Sequence, residues 1–312
     1  MIEAEHHEFV ASDGRRLAWS RWAPEGPVRG YVVSLHGIQS HAGWYEYSSR
    51  RLAESGFEVS FLDRRGSGRN AEFRGDAAHA DRLVHDVTQL LAEIRHRRDQ
   101  ECPGRPVVLQ AGSWGGKLAS VVTSRRPELV DALALLYPGL KARVRPGWWA
   151  RFRLGLAERL DIRDKLVEIP LQDPSLFTGD PGWQQFIRDD PLALHEVTSG
   201  FLLANQELDR RIERCVTGIS CPLLLMLSGG DRIIDNVATR ELFERFSSPE
   251  KRLLEYDEAA HTLEFEPSRE RFVADLIGWR DELAGGEWAS GNCGHRSDRL
   301  ARLAGWSGSP SE

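Results

Sequence analysis

The feature that most constrains this chain is an alternation of two kinds of segment. Short apolar runs, Gly30–Leu35, Phe57–Leu62, Pro106–Gln110, Leu129–Leu136, Pro222–Leu227 and Arg252–Tyr256, read as strands, and a run such as Gly30–Leu35 reads as a strand buried on both faces. Between them lie runs of helical periodicity: about Tyr45–Ser55, closed by Gly56; Asp81–Arg98, with Leu83, Val87, Leu90, Leu91 and Ile94 on one side; Trp114–Ser124; Val237–Phe246; and Arg269–Leu283. Asp81 is placed to cap its helix by accepting from first-turn N–H groups. This α/β alternation implies a mostly parallel central sheet with helices on both faces and right-handed crossovers. In such a sheet, reactive groups gather just past the carboxyl ends of strands.

Three segments stand outside the alternation. Phe9–Ala11 and Arg16–Trp22 flank Ser12-Asp13-Gly14, whose turn chemistry predicts a hairpin. From about Leu140 to Ile219 there are helical patches and no clear strand, which reads as an inserted helical cap (140–219) dividing a core of residues 1–139 and 220–284. Residues 285–312, rich in Gly and Ser, read as a flexible tail with one short helix near Asp298–Leu303. A chain of 312 residues, 41% of them hydrophobic, is long enough to bury a sizeable core as well as such a cap.

A net charge of −6 and the lack of a long basic run argue against a nucleic-acid partner. No apolar run approaches the ~20 residues of a membrane span, and the charged N-terminus lacks a signal peptide's apolar stretch, so a cytoplasmic location is expected. Cys102, Cys215, Cys221 and Cys293 have no metal-ligand or Cys-x-x-Cys spacing. They read as free thiols in a reducing compartment, although Cys215 and Cys221 are near enough in sequence to pair. No metal or cofactor is expected.

The strand Pro106–Gln110 runs into Ala111-Gly112-Ser113-Trp114-Gly115-Gly116 and then into a helix. A serine between small residues at a strand-to-helix turn is a nucleophile elbow, because the sharp turn strains the serine backbone and leaves no room for large neighbours. Ala111 replaces the first glycine of the usual Gly-x-Ser-x-Gly, and the competing reading is a helix merely capped by Gly and Ser. The context favours a nucleophile. Pro222–Leu227 ends in Ser228-Gly229-Gly230-Asp231, and Arg252–Tyr256 is followed by a loop carrying His261, so acid and base follow the serine in the expected order. Asp231 would orient the imidazole while its other nitrogen takes the Ser113 proton. Asp235 is a rival acid; Asp257, four residues before His261, fits less well; a buried structural histidine is the alternative for His261. Gly30–Leu35 ends in His36-Gly37-Ile38, which places the Ile38 N–H, with that of Trp114, to receive an oxyanion.

These segments resemble the α/β-hydrolase superfamily, and within it the monoacylglycerol lipase and lysophospholipase-like serine hydrolases. The resemblance rests on His36-Gly37 with His41, on Asp63-Arg64-Arg65-Gly66-Ser67-Gly68-Arg69, on Gly230-Asp231-Arg232-Ile233-Ile234, and on His261 with Glu266, and it spans about Glu8 to Leu283. It implies the α/β-hydrolase fold, an acyl-enzyme mechanism and a carboxylic ester substrate of monoacylglycerol or lysophospholipid type. The bulk of Trp114 and the methyl of Ala111 depart from the group's pattern and bear on substrate fit. By their own composition, Arg64, Arg65 and Arg69 lack a Gly-x-x-x-x-Gly-Lys phosphate pattern and read as packing beside the oxyanion strand, shaping the site wall.

In the cap, Trp148 and Trp149 open a stripe, Trp149, Phe152, Leu156 and Leu160, at helical spacing, with Arg151, Arg153, Arg159 and Arg163 interspersed. It reads either as a lid helix packed on the core or as an apolar roof over an acyl pocket that touches lipid surfaces transiently. Pro170–Pro181 reads as loop, and Phe186-Ile187 and Phe201-Leu202-Leu203 as further apolar lining. His36, Gly37, His41, Trp148, Trp149 and Phe152 are therefore candidate substrate-binding residues. An acyltransferase with the same Ser113, Asp231 and His261, and a binding protein that keeps the fold without turnover, are the alternative functions.

Overall fold

The computed structural model describes residues 2–144, 155–156 and 158–285. Its strands are β1 (Glu5–Val10), β2 (Arg16–Trp22), β3 (Gly30–Leu35), β4 (Phe57–Leu62), β5 (Val107–Gly112), β6 (Ala132–Leu136), β7 (Leu166–Glu168), β8 (Glu196–Thr198), β9 (Leu223–Ser228) and β10 (Lys251–Tyr256). Its helices are α1 (Glu46–Glu54), α2 (Ala80–Glu101), α3 (Gly115–Arg125), α4 (Pro181–Asp189), α5 (Ser199–Cys215), α6 (Asn236–Glu244) and α7 (Arg269–Gly285). Eight strands form one sheet in the order β1-β2-β4-β3-β5-β6-β9-β10. Within this sheet the hairpin β1–β2 and the β2–β4 pair are antiparallel, and the other five pairings are parallel, as the alternation predicts. This is the α/β-hydrolase fold.

Strands β3, β4, β5, β6 and β9 are buried along their whole length, which is why they carry apolar residues at successive positions. The sheet separates two apolar layers. Val33, Leu109 and Leu133 face one with Leu90 of α2 and Leu118 of α3, while Val32, Val108 and Met226 face the other with Leu52 of α1 and Leu276 of α7. Among the described residues no helix is long and apolar enough to cross a membrane.

The structure departs from the sequence reading in several places. β1 starts at Glu5, so the charged N-terminus pairs with β2. Asp81 is not the cap of α2: His79 holds that position, and Asp81, in the first turn, is paired to Arg125 and Arg211. The segment Pro127–Leu129 is a 3₁₀ turn that delays β6 to Ala132. The interval read as strandless holds β7 and β8, which pair antiparallel over three residues each, too short to show a period of two. Within the stretch read as loop, Pro174–Leu176 forms a 3₁₀ turn capped by Asp173. Leu156 and Leu160, read as members of a packed stripe, are exposed. Trp148, Trp149 and Phe152, and the tail beyond 285, lie outside the described residues. Cys102 and Cys215 are free thiols, and Cys215 is not paired with Cys221.

Candidate active site

Ser113 stands between β5 and α3 with φ +48°, the left-handed region that a non-glycine residue adopts only when its surroundings force it. The turn is held from both sides: the Ser113 N–H donates to Leu136 O at 3.0 Å, and Ser113 O accepts from Gly116 N at 2.9 Å and Gly139 N at 2.6 Å. A Cβ on Gly115 would lie 2.7 Å from His36 O, so the elbow reaches the β3 loop only because that residue is glycine. The Ala111 methyl is fully buried in the core below the turn.

His261 and Asp231 converge on this serine. His261 Nδ1 lies 2.7 Å from Asp231 Oδ2, and Nε2 lies 2.8 Å from Ser113 Oγ. A carboxylate only accepts, so Nδ1 carries the proton and Nε2 is free to accept from the serine hydroxyl. The other Asp231 oxygen accepts from the backbone N–H groups of Ile233 and Ile234 at 2.7 and 3.0 Å, which fixes the carboxylate. Both residues are buried. The loops that carry them touch at Gly229, where a Cβ would sit 2.3 Å from Asp257 O. Of the rival acids, Asp235 caps α6, accepting from Ala238 N at 3.1 Å, and Asp257 is exposed.

Beside the serine, the peptides after β3 approach to contact: a Cβ on Gly37 would meet Ser113 Cβ at 3.2 Å. The backbone N–H groups of Ile38 and Trp114 have no acceptor among the described residues. The Gly37 N–H is turned away, donating at 3.0 Å to Ser40 Oγ, which in turn meets Tyr45 Oη at 3.0 Å.

Two residues expected to bind substrate do other work. His36 Nε2 accepts the Arg64 backbone N–H at 2.8 Å and Nδ1 donates to Gly37 O at 2.7 Å, so no polar atom is left for a ligand. Burial, with the nearby Arg64 charge, holds His36 far below the usual imidazole range, so it is neutral. His41 accepts from Gly43 N at 3.1 Å and meets Asp190 Oδ2 at 3.0 Å. The same carboxylate oxygen accepts from Trp44 Nε1 at 2.6 Å. Burial would raise the Asp190 carboxyl, but these hydrogen bonds outweigh it and hold it below its ordinary value. His41 thus ties the β3 loop to the end of α4.

The structure adds residues that carry no sequence signal. Tyr137, at φ +36°, packs edge-to-face on His261 with the ring centres 5.1 Å apart. Phe177 approaches His261 at 5.9 Å and leads to Trp44, Phe186 and Phe265. Asn205 Oδ1 on α5 accepts from Trp114 Nε1 at 2.8 Å and Lys117 Nζ at 2.9 Å, joining α5 to the elbow helix. Phe201, expected as lining, packs on Trp114 at 5.2 Å, and Ile187 is buried while its neighbour Phe186 is partly exposed.

Known proteins resemble this chain in sequence and in fold. The monoacylglycerol lipase of Mycolicibacterium smegmatis is 25% identical over 276 residues, covering 88% of this chain and 95% of that protein. Human monoglyceride lipase is 27% identical over 258 residues, 82% of each chain. The crystal structure of the Paleococcus ferrophilus monoacylglycerol lipase matches with a TM-score of 0.73 at 24% identity, covering 85% of this chain and 98% of the other. A soluble variant of monoglyceride lipase from Saccharomyces cerevisiae matches at 0.75 with 18% identity, covering 90% and 95%. The model of the family described as serine aminopeptidase, S33 (Hydrolase_4) matches residues 26–268. Because that span runs from before β3 to beyond the His261 loop, the chain belongs to the serine aminopeptidase, S33 family of α/β-hydrolases.

Proposed function

We propose that this protein hydrolyses carboxylic esters of monoacylglycerol type through an acyl-enzyme on Ser113. The observation that carries the reading is the unbroken chain from Ser113 Oγ through His261 to Asp231, at 2.8 and 2.7 Å, on a strained elbow. Ser113 Oγ attacks the acyl carbonyl while His261 Nε2 takes its proton. The oxyanion of the tetrahedral intermediate accepts from the Ile38 and Trp114 N–H groups. Collapse returns the proton from Nε2 to the leaving alcohol, and a water then repeats the sequence to release the acid. Asp231 keeps the imidazole in the required tautomer and stabilises its cation. The names of the relatives support a monoacylglycerol-like substrate, and the aromatic group around Phe177 supports an apolar acyl chain. In this reading residues 140–219 form a cap on the 1–139 and 220–284 core, Trp148, Trp149 and Phe152 contact the acyl chain, and Gly37 borders the carbonyl. The free thiols suit a cytoplasmic location.

The test is turnover on monoacylglycerols of graded chain length, on a lysophospholipid and on an aminoacyl anilide. Monoacylglycerol is expected to be cleaved best. Ser113→Ala should cut turnover by on the order of a millionfold and Asp231→Asn by roughly ten-thousandfold, with Asp235→Asn retaining activity. Preference for the anilide, or a tenth of wild-type activity surviving in folded Ser113→Ala, would overturn the reading.

A further inference from the structure

Among the described residues, Arg64 is a buried cation with no carboxylate ion-pair partner. It is 5% exposed, and among the described residues no acid lies within ion-pair distance of it. Asp63, whose charge acts on it, is already taken by the backbone N–H groups of Ala42 and Arg69 at 2.8 and 2.9 Å. Burial pulls the guanidinium down to about 9, so it is still charged at neutral pH. An uncompensated buried charge is costly and calls for a reason.

Its surroundings supply one. Arg64 Nη2 donates to Ile38 O at 3.1 Å and Nη1 to Gly37 O at 3.4 Å. Gly37 O also accepts from His36 Nδ1 at 2.7 Å. Gly37 O and the Ile38 N–H belong to one peptide unit. Donors on a carbonyl oxygen strengthen the conjugation of that amide and make its N–H more positive. The guanidinium also lies 4.7 Å from the ring centres of Trp114 and Phe201, so the same cation packs on the indole of the residue whose backbone N–H is the other proposed donor.

We propose that Arg64 is a positioning residue of the oxyanion hole: it polarises the Gly37–Ile38 peptide through Gly37 O and packs on the Trp114 indole, so that the Ile38 donor is strengthened and the two donor-bearing segments are held in place before the substrate arrives. The inference rests on the ester-hydrolase reading above. Its contribution grows with the charge that develops on the carbonyl oxygen, so it belongs to the transition state more than to ground-state binding.

Arg64→Met keeps the length of the stem and removes the cation. Activity on a monoacylglycerol is measured per active site, with sites counted by fluorophosphonate titration, alongside affinity for a trifluoromethyl ketone that forms a tetrahedral adduct with a serine. The expected result is a kcat per titrated site lowered at least tenfold, KM within twofold, and ketone affinity lowered by the same factor as kcat/KM. A purely structural role would lower the melting temperature and the number of titratable sites but leave kcat per site unchanged, and that outcome overturns the inference. If Arg64→Met does not fold, Arg64→Lys carries the test. It keeps a cation that cannot reach both carbonyls, and kcat per site should fall at least threefold; an unchanged value overturns the inference. An inert wild-type protein would sink the ester-hydrolase reading and this inference together, whereas an active wild type with an unaffected variant sinks the inference alone.

Discussion

Three residues after His261, a buried carboxyl sits outside the proposed chemistry. Glu264 Oε1 accepts from Ser48 N at 2.8 Å, while Oε2 is buried with no hydrogen-bond partner among the described residues. Burial raises its pKa to about 7, although the Ser48 hydrogen bonds work in the opposite direction. A carboxyl whose folded pKa exceeds its unfolded value stabilises the protein below the unfolded value, and that contribution is lost as pH rises through the folded one. Glu264→Gln keeps the Ser48 bond and removes the titration. Its stability relative to wild type should therefore improve between pH 5 and pH 8, by up to roughly 3 kcal/mol. Denaturant melts at the two pH values measure this, and an advantage that does not change with pH would show that Glu264 does not titrate in this window. At this scale, legibility follows locality. Ser113, Asp231 and His261 could be named in advance because each sits just past a strand in a short sequence pattern. Glu264, Tyr137 and Asn205 could not, because their surroundings are assembled from segments distant in sequence.

At the scale of elements, the elbow strand and the helix after the His261 loop are joined by a buried cation. Arg280 of α7 is fully buried, donating to Leu276 O at 2.9 Å and to Gln110 Oε1 of β5, with no partner for its Nε among the described residues. Burial lowers it to about 9. Removing one partner of a buried charge strands the other at a cost of about 3–5 kcal/mol, whereas replacing both by apolar groups is often neutral or stabilising. Gln110→Leu alone should therefore destabilise by about 3 kcal/mol, and adding Arg280→Met should restore most of the loss. A double-mutant cycle by chemical denaturation reads the coupling, and strictly additive losses would show that the pair is not a unit. The alternation of periods marked most helix and strand cores correctly. It missed β7 and β8, whose three residues are too few for a pattern, and it misplaced the start of α2, where tertiary ion pairs rather than a cap hold Asp81.

At the scale of the molecule, the described part of the 140–219 interval is held to the sheet by polar ties on the β3 and β4 loops. Asp190 joins His41 and Trp44, Gln39 O accepts from Leu194 N at 2.9 Å, and Arg74 donates to Leu192 O and Ala193 O at 2.9 and 3.1 Å. Gly75 meets β8 directly: Thr198 N donates to Gly75 O at 3.0 Å. Asp190→Ala would orphan two buried donors at about 1–3 kcal/mol each. The expected result is a lower melting temperature and faster proteolytic cleavage within residues 166–198, while fluorophosphonate labelling of Ser113 persists. Unchanged cleavage would mean that the other ties suffice.

The linear sequence determined the parallel core of the sheet, the order of its elements and the identities of the residues that meet at Ser113, because apolar periodicity and elbow chemistry are local properties. Only the tertiary structure decided that His36 and His41 serve as struts, that Arg64 lies buried behind the Ile38 peptide, and that α5 clasps Trp114. The physical reason is that a polar side chain's role is set by which partners satisfy it when it is buried, and those partners come from segments tens of residues away.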